Sequence, residues 1–382
     1  ERSAIISTNN FSRDSIIESI DRVINMTKLA PKDPMVSLAS QTIKKIPDLD
    51  LFDSHDLKPD DLKDLALRTE EASLKIKGIN NSNGASSSQS KTSFHLSTSN
   101  GFSGGYKKSN YSISCSSIAG DDLNMQTDYD YDSKVFFKDL NDEFSIGEKA
   151  AKNTLAKCNP KKIKTCTSDI VFDPRVSRTI LAHFSSLING ASIARGSSFL
   201  SEKMNTKIFN KDVNIIDDPS ILRGIASKPF DDEGCGIQKL NIVQNGNLNS
   251  WILDTTTAKQ LNLNSNNRAS RGMSSPPSPS STNMFIENGS FSVNEIIKNI
   301  KDGFYVTDLI GQGVNLITGD YSRGAGGFKI EDGNITFPIN EVTIADNLKD
   351  MFSRMIIAND LDFKYSINSP TILIEGMKIA GI

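Results

Sequence analysis

Histidine and cysteine side chains are the first candidates for metal-assisted or nucleophilic chemistry, and this chain of 382 residues has few of them. Its three histidines, His55, His95 and His183, lie in separate segments, and no H-x-H or H-x-x-x-H pair occurs. Catalytic zinc takes about three protein ligands and keeps one position open for water. The sequence therefore predicts that this chain alone does not form a catalytic zinc centre.

The four cysteines are Cys115, Cys158, Cys166 and Cys235, and none of them forms a C-x-x-C pair. In a chain of this length such cysteines are typical of free thiols in a reducing compartment, so we expect a cytoplasmic protein. No apolar run approaches the ~20 residues of a membrane span. The net charge of −3 gives no general attraction to nucleic acid or anionic membranes. We therefore expect neither a membrane partner nor direct nucleic-acid binding.

Other chemistries have equally little support. No G-x-S-x-G nucleophile elbow occurs, and the glycine-rich segment from Gly311 to Gly327 contains neither G-x-x-x-x-G-K-[ST] nor G-x-G-x-x-G. The acids Asp231-Asp232-Glu233 could bind a cation, although adjacent acids in a turn are more often simply solvated. The planar guanidinium groups of Arg268, Arg271 and Arg323 could bind a peptide carboxylate. Structural ion pairs are an equally good explanation of these arginines.

Most of the candidate residues lie between Asp302 and Phe352, so the elements of that segment must position them. Tyr305–Ile310 is β-branched and aromatic, which predicts a strand. Six glycines between Gly311 and Gly327 predict a loop whose backbone turns tightly or lies close to another group. The Asp332-Gly333 pair between two apolar stretches predicts a hairpin.

The remaining sequence predicts a mixture of helices and antiparallel strands. Apolar residues at helical spacing follow Ser12, a second helix is predicted from Pro59, and a third from Asp142 to Lys157. Between residues 79 and 135 the pattern has period two, which predicts antiparallel strands with one exposed face. After a strand that starts at Asp169, we predict a helix with an apolar face, and then a hairpin. That hairpin pairs Gln238–Gln244 with Ser250–Asp254 across Asn245-Gly246.

Two stretches of the central segment, GQGVNLITGDYSRGAGGF and FPINEVTIADNLKDMF, closely resemble the C-terminal signature of the PmbA (TldE) branch of the TldD/PmbA family. Further stretches occur in the family's order: NSNGAS from Asn81, GFSGGY from Gly101, ASKPFDDEG from Ala226 and EGMKIAG from Glu375. Proteins of this family are metalloprotease subunits and candidate modulators of DNA gyrase.

The resemblance also implies why zinc ligands are missing. In the TldD branch a helix carries a His-Glu-x-x-x-His motif, which binds zinc together with a distant cysteine. Here Ala182 and Leu187 fall at the two histidine positions, His183 falls at the glutamate position, and no cysteine follows Cys235. A residual ligand role for His183 is conceivable, but a lone histidine more often makes a structural hydrogen bond. We expect no cofactor in this chain and zinc in a TldD-like partner.

The resemblance favours one functional hypothesis over two alternatives. It implies a non-catalytic subunit that forms a dimer and part of a cleft with a TldD-like metalloprotease subunit, whose substrates would be peptides or unfolded proteins. A non-proteolytic, homodimeric regulator of a gyrase-like target is the alternative, and a homodimer is also conceivable when the partner is absent. A self-sufficient peptidase with an unusual metal site has the least support, because the ligands are missing.

Residues that could form the cleft or the dimer interface come from two loops. The first is the glycine-rich segment, and the second is the serine- and proline-rich stretch from Asn264 to Asn283, which borders the cleft in family terms. An equally good reading of the glycines is that they only allow tight turns. The candidates are Arg268, Arg271, Gly311, Gln312, Gly313, Asn315, Asp320, Tyr321, Arg323, Gly326 and Gly327.

Pattern and resemblance together predict an α+β fold. An N-terminal α/β part with an antiparallel sheet and helices should be followed by a β-rich C-terminal domain with a mixed or antiparallel sheet. The predicted divisions are an N-terminal domain of residues 1–78, a central sheet-and-helix region of residues 79–166, and a C-terminal domain of residues 167–382. The chain begins inside a stretch that looks like a strand, Ala4–Thr8, so we expect the N-terminal domain to be truncated at its start.

Overall fold

The structure is a computed structural model that describes residues 1–121 and 124–382. Within those ranges it contains eight α-helices and a short 3-10 helix at Phe137–Asp139. The α-helices are α1 (Arg13–Leu29), α2 (Pro59–Leu74), α3 (Glu143–Ala156), α4 (Pro174–Leu187), α5 (Gly190–Ala194), α6 (Thr255–Gln260), α7 (Val293–Lys298) and α8 (Leu348–Arg354).

Sixteen strands lie in the same described ranges. In chain order they are β1 (Ile79–Ser97), β2 (Ser103–Ala119), β3 (Gln126–Lys134), β4 (Cys166–Phe172), β5 (Ile215–Asp217), β6 (Leu240–Gln244), β7 (Asn247–Leu248), β8 (Ala269–Ser270), β9 (Ser278–Pro279), β10 (Met284–Ile286), β11 (Asp302–Ile310), β12 (Asp320–Glu331), β13 (Asn334–Asn347), β14 (Met355–Ile357), β15 (Ile367–Asn368) and β16 (Ile372–Ala380).

Helix α1 begins as predicted, since the Ser12 side chain accepts a hydrogen bond from the Ser15 amide at 3.4 Å. None of its residues is buried, so its apolar residues Ile16, Ile20 and Ile24 stay largely exposed. Helix α1 therefore has no buried apolar face in the described structure. Residues 4–8, which the sequence suggested as a strand, form no strand in the described structure.

Strands β1, β2 and β3 form an antiparallel sheet in that order, as the period-two pattern predicts. The alternate residues Tyr111, Ile113 and Cys115 of β2 are buried. Helices α2 and α3 cover this face, where Leu65 and Ile146 join Ile113 in one apolar cluster. The N-terminal part is thus a layer of helices on an antiparallel sheet.

The C-terminal part is built on a six-stranded mixed sheet with the order β13-β12-β11-β4-β16-β14. Strand β4 runs parallel to β11, and the other neighbours are antiparallel. Strand β13 also pairs with β16, through Thr343 with Ala380 and Ala345 with Lys378. This pairing closes β13, β12, β11, β4 and β16 into a ring. The α+β class and the two kinds of sheet are therefore confirmed.

Helix α4 packs on this sheet through the apolar face that the sequence predicts. Val176, Ile180 and Phe184 are buried among sheet residues that include Phe172 and Phe304. Asp173 caps the helix, because its carboxylate accepts a hydrogen bond from the Arg175 amide at 2.9 Å. The buried face fixes the rotation of α4, and with it the direction of the side chains on its other faces.

The predicted hairpin turns are present, but one strand beside them is shifted. Asp332 and Gly333 adopt φ of 45° and 77° between β12 and β13, and Asn245 and Gly246 adopt 49° and 78° between β6 and β7. A two-residue turn of this kind pairs the residues next to it, so β7 is Asn247–Leu248. The predicted strand Ser250–Asp254 is wrong, because that segment leaves the sheet and pairs only through an isolated bridge of Ile252.

The prediction of one loop from Gly311 to Gly327 is also wrong, because β12 already begins at Asp320. Gly327 lies within that strand, where a Cβ atom would come within 2.0 Å of the Tyr305 carbonyl oxygen. The register between β11 and β12 shifts at this place, between Val306 and Asp308. The glycine therefore allows two strands to approach closely and does not mark a turn.

A smaller sheet with the order β15-β10-β5-β6-β7 completes the C-terminal part. The serine- and proline-rich stretch from Asn264 to Asn283 contains the short pair β8–β9 and is otherwise irregular. In residues 1–121 and 124–382, none of the helices is both long and apolar enough to span a bilayer. The divisions at residues 78/79 and 166/167 stay predictions.

Candidate functional site

Helix α4 carries the three positions that the resemblance relates to the metal motif. Leu187 is fully buried in the core, whereas Ala182 and His183 are half-buried. The His183 ring lies 6.5 Å from the Tyr321 ring, centroid to centroid, in an edge-to-face arrangement. Burial lowers the pKa of His183, and the nearby Arg323 lowers it further. His183 is therefore a neutral imidazole at neutral pH.

His183 and Tyr321 also leave polar atoms unused. The Nε2 atom of His183 and the hydroxyl of Tyr321 are buried, and neither has a hydrogen-bond partner in the described parts of the chain. A metal site would need more ligands than His183 can supply. Across residues 1–121 and 124–382, no group of three or more His, Cys, Asp or Glu side chains is arranged to hold a metal ion.

A groove of about 830 Å³ opens beside α4. One wall is formed by Arg175, Arg178 and Thr179 of α4, and the start of β3 closes one side. The sheet supplies the floor from the end of β11 and the middle of β12 and β13. Among the sequence candidates the groove contains Arg323, Gly326 and Gly327.

The other candidates of the glycine-rich segment do not line the groove. Gly311, Gln312, Gly313 and Asn315 belong to the exposed loop that connects β11 to β12. The Asn315 side chain accepts hydrogen bonds from the Ile317 and Thr318 amides, and the Thr318 hydroxyl donates to Asp320 at 2.6 Å. Asn315 and Asp320 thus shape this loop themselves, and Tyr321 is buried at its end.

Arg268 and Arg271 do not line the groove, and both make contacts elsewhere in the structure. The Nε atom of Arg268 donates to Asp217 Oδ2 at 2.6 Å, and both residues are almost completely buried. Arg271 is exposed, and its backbone amide donates to Asp232 Oδ2 at 2.7 Å. The structure therefore groups Arg323 with two glycines of the sheet, and it places the two arginines of the serine-rich stretch elsewhere.

Sequence reasoning missed an ion-pair network at the rim of the groove. Lys157 Nζ lies 2.8 Å from Asp128 and 2.5 Å from Asp308, and Arg175 Nη1 lies 2.9 Å from Asp128. Burial opposes ionisation of Asp128, but the two cations outweigh it and lower the pKa of its carboxyl. The available signal was the alternation of Asp128, Asp130 and Asp132 along β3, since carboxylates on a buried face require cationic partners.

The acidic turn that could have bound a cation is largely buried and already hydrogen-bonded. Asp231 accepts hydrogen bonds from the amides of Glu233, Cys235 and Ala269. Glu233 accepts hydrogen bonds from the amide and the hydroxyl of Thr255 at 3.1 and 2.7 Å. Burial raises the pKa of Glu233 to about 7, although the hydrogen bonds from Thr255 act to lower it. The turn therefore acts as a structural junction between segments.

The chain has an α+β fold with a groove between a helix and a mixed sheet. Comparison with known proteins identifies the family to which this fold belongs. Residues 165–381 match the PmbA/TldA metallopeptidase C-terminal domain, and residues 52–157 match the central domain of the same family. The chain belongs to the PmbA/TldD family. This confirms the resemblance inferred from the sequence motifs.

Individual relatives agree with this assignment over nearly the whole chain. The metalloprotease PmbA homologue of Haemophilus influenzae is 34% identical over 98% of this chain and 82% of its own length. Metalloprotease PmbA of Escherichia coli O157:H7 is 33% identical over 100% of this chain and 83% of its own length.

The fold is shared with solved structures, among them the following two. A candidate modulator of DNA gyrase from Bacteroides thetaiotaomicron superposes with a TM-score of 0.92 at 29% identity, covering 100% of this chain and 86% of the other. TldE from Thermococcus kodakarensis superposes with a TM-score of 0.86 at 22% identity, covering 98% of this chain and 86% of the other. The second likeness concerns the fold alone.

Proposed function

We propose that this chain is the PmbA/TldE-like, non-catalytic subunit of a cytoplasmic two-chain metalloprotease that degrades or processes peptides. Its TldD-like partner would bind zinc and supply the glutamate base. This chain would form the second half of the dimer and one wall of the cleft. Peptides or unfolded proteins would be the substrates.

The composition of α4 carries this proposal. The helix faces an open groove of about 830 Å³, as a catalytic helix would. However, neither Ala182 nor the neutral, half-buried His183 is among the residues that line the groove, and Leu187 is buried in the core. A zinc site needs about three ligands that converge, and α4 offers one imidazole. The names of the relatives, which include metalloproteases, support proteolysis as the setting.

The test compares zinc content and peptidase activity in three samples: this chain alone, its TldD-like partner alone, and an equimolar mixture. The substrate is an unstructured peptide with a fluorophore and a quencher. We expect this chain to be free of zinc and inactive, and the mixture to contain zinc and to cleave the peptide until a chelator is added. Changing the motif glutamate of the partner to glutamine should abolish cleavage by the mixture.

His183→Ala is the matched variant of this chain. It should leave the zinc content and activity of the mixture unchanged, because His183 is not a ligand in this proposal. Stoichiometric zinc in this chain alone, lost on His183→Ala, would refute it. If no sample cleaves peptide, the non-proteolytic regulator is favoured, as the name of the Bacteroides relative suggests.

A further inference from the structure

Two arginines of the groove have no carboxylate partner in the described parts of the chain. Arg323 is 8% exposed, and its guanidinium makes a single weak hydrogen bond, from Nε to the Ile310 carbonyl oxygen at 3.4 Å. Arg178 stacks on the Tyr365 ring, with its guanidinium carbon 3.9 Å from the ring centroid. Its Nε atom is buried without a described partner. The guanidinium nitrogens of Arg323 are not fully buried and so reach the open groove, where an anion could take the place of the missing carboxylate.

The other cations of the same groove are compensated. Lys157 contacts both Asp128 and Asp308, and Arg175 contacts Asp128 and Asp173. Among the described residues, the lack of a carboxylate partner is therefore a property of Arg178 and Arg323 and not of the whole groove. Arg323 lacks even the aromatic contact that Arg178 has, so it has the greater capacity to bind an anion.

The floor next to Arg323 is open at Gly326, where glycine occupies a position in which a side chain would fit. A Cβ atom on Gly326 would meet its nearest neighbour, Asp308, at 3.7 Å, which is an ordinary contact distance. Gly326 also lacks a left-handed φ. Neither packing nor backbone conformation of this chain thus requires glycine there. The missing side chain leaves space in the groove for a ligand.

We propose that this groove binds a carboxylate group of an extended peptide, with Arg323 as its main partner and Arg178 as the second. A planar guanidinium can donate two parallel hydrogen bonds to one carboxylate. A groove of about 830 Å³ accommodates several residues of peptide beside that group. The identity of the ligand as a peptide rests on the proposed function, whereas the choice of a carboxylate rests on the two arginines.

The experiment measures peptide binding to the full chain by isothermal titration calorimetry, without partner or zinc. The probes are an acetylated octapeptide of serine, alanine and valine with a free C-terminal carboxylate, its C-terminal amide, and an amide with one central glutamate. We expect the free acid to bind at least about tenfold more tightly than the plain amide, the usual effect of a charged hydrogen-bond partner. If the glutamate amide binds as tightly as the acid, a side-chain carboxylate serves equally well.

Variants of this chain separate a binding role from a structural one. Arg323→Met should abolish the discrimination between acid and amide, and Arg323→Lys should keep part of it. Gly326→Val should weaken both peptides, because its side chain fills the floor. Arg195→Met, an exposed arginine outside the groove, is the matched control and should change nothing. Removing an unpaired charge should also leave the melting temperature of Arg323→Met unchanged or higher, so that lost binding is not lost folding.

Two results would overturn this inference: equal binding of all three peptides, or full discrimination by Arg323→Met. Both are independent of the zinc and cleavage measurements made on the mixture. Cleavage by the mixture without acid–amide discrimination would refute the carboxylate site alone. Discrimination between acid and amide without any cleavage by the mixture would refute the proposed role as a protease subunit and leave the carboxylate site standing.

Discussion

The buried pair of Arg268 and Asp217 should be among the most sensitive positions for stability. Arg268 donates from Nε to Asp217 Oδ2 at 2.6 Å, and its other nitrogens donate to the carbonyl oxygens of Asn266, Asp217 and Gln238. The Asp217 carboxylate also accepts hydrogen bonds from the amide and hydroxyl of Thr282 at 2.6 and 2.9 Å. Together they join the serine-rich stretch to β5.

Arg268→Met removes all of these donors and leaves the Asp217 carboxylate buried with only Thr282 to solvate it. Breaking a buried pair in this way costs about 3–5 kcal/mol of unfolding free energy. Urea unfolding can be followed through the fluorescence of Trp251, the single tryptophan, whose carbonyl oxygen accepts a hydrogen bond from Asn266 at 2.6 Å. The probe therefore lies beside the perturbed contacts.

Two further variants complete the experiment. Arg271→Met alters an exposed arginine in the same stretch and should change the unfolding free energy by no more than about 0.5 kcal/mol. Asp217→Asn combined with Arg268→Met should cost less than the sum of the two single changes, because it removes the uncompensated charge. A loss below about 1 kcal/mol for Arg268→Met, or strict additivity in the double variant, would contradict a structural role for this pair.

Three more predictions concern the other buried groups. Gly147→Ala should lower the unfolding free energy by about 1–3 kcal/mol, because the new Cβ would lie 2.1 Å from the Thr69 carbonyl oxygen. Gly326→Ala introduces no clash and should leave the unfolding free energy unchanged. Equal losses for the two variants would show that the clash is not the cause. Burial raises the pKa of Glu233 from 4.5 to about 7, so its carboxyl is protonated in the native state where the unfolded chain is ionised. Stability should therefore fall as pH rises from about 4.5 to 7, and urea titrations should show a smaller fall for Glu233→Gln. Burial also raises the pKa of Cys235 to about 12. At pH 8 the Cys235 thiol of the native protein should therefore react with Ellman's reagent far more slowly than the same thiol of the protein unfolded in urea. Mass spectrometry of single-cysteine variants measures the two rates.

The sequence predicted elements well where one pattern determined them. The buried face of α4 and the alternation along β2 follow from apolar spacing alone, and the turn at Asp332-Gly333 follows from the backbone freedom of its residues. The first part of strand Asp320–Glu331, up to Gly327, was missed because its glycines resemble a loop, whereas its last residues were predicted as one arm of the hairpin. Their role depends on the neighbouring strand, whose Tyr305 carbonyl oxygen approaches Gly327, and no local pattern carries that information.

The candidate site shows the same limit. Arg268 and Arg323 are indistinguishable as arginines in a chain, yet one is neutralised by Asp217 and the other has no described carboxylate partner. Lys157 and Asp128 escaped notice because they are 29 positions apart (157 − 128) and meet only through the packing of α3 on β3. Charge compensation is decided by tertiary contacts, so the sequence could name the arginines but not choose among them.

The position of β4 in the ring has a consequence for synthesis on the ribosome. Strand β4 ends at Phe172, but its neighbours begin only at Asp302 and Ile372. At the ~5–20 residues per second of translation, its fully buried Ile170, Val171 and Phe172 wait roughly 10–40 s for the second neighbour. During that interval the nascent chain exposes a strand suited to pair with other chains. The C-terminal part should therefore depend on chaperones more than the sheet of β1, β2 and β3, whose strands follow one another directly.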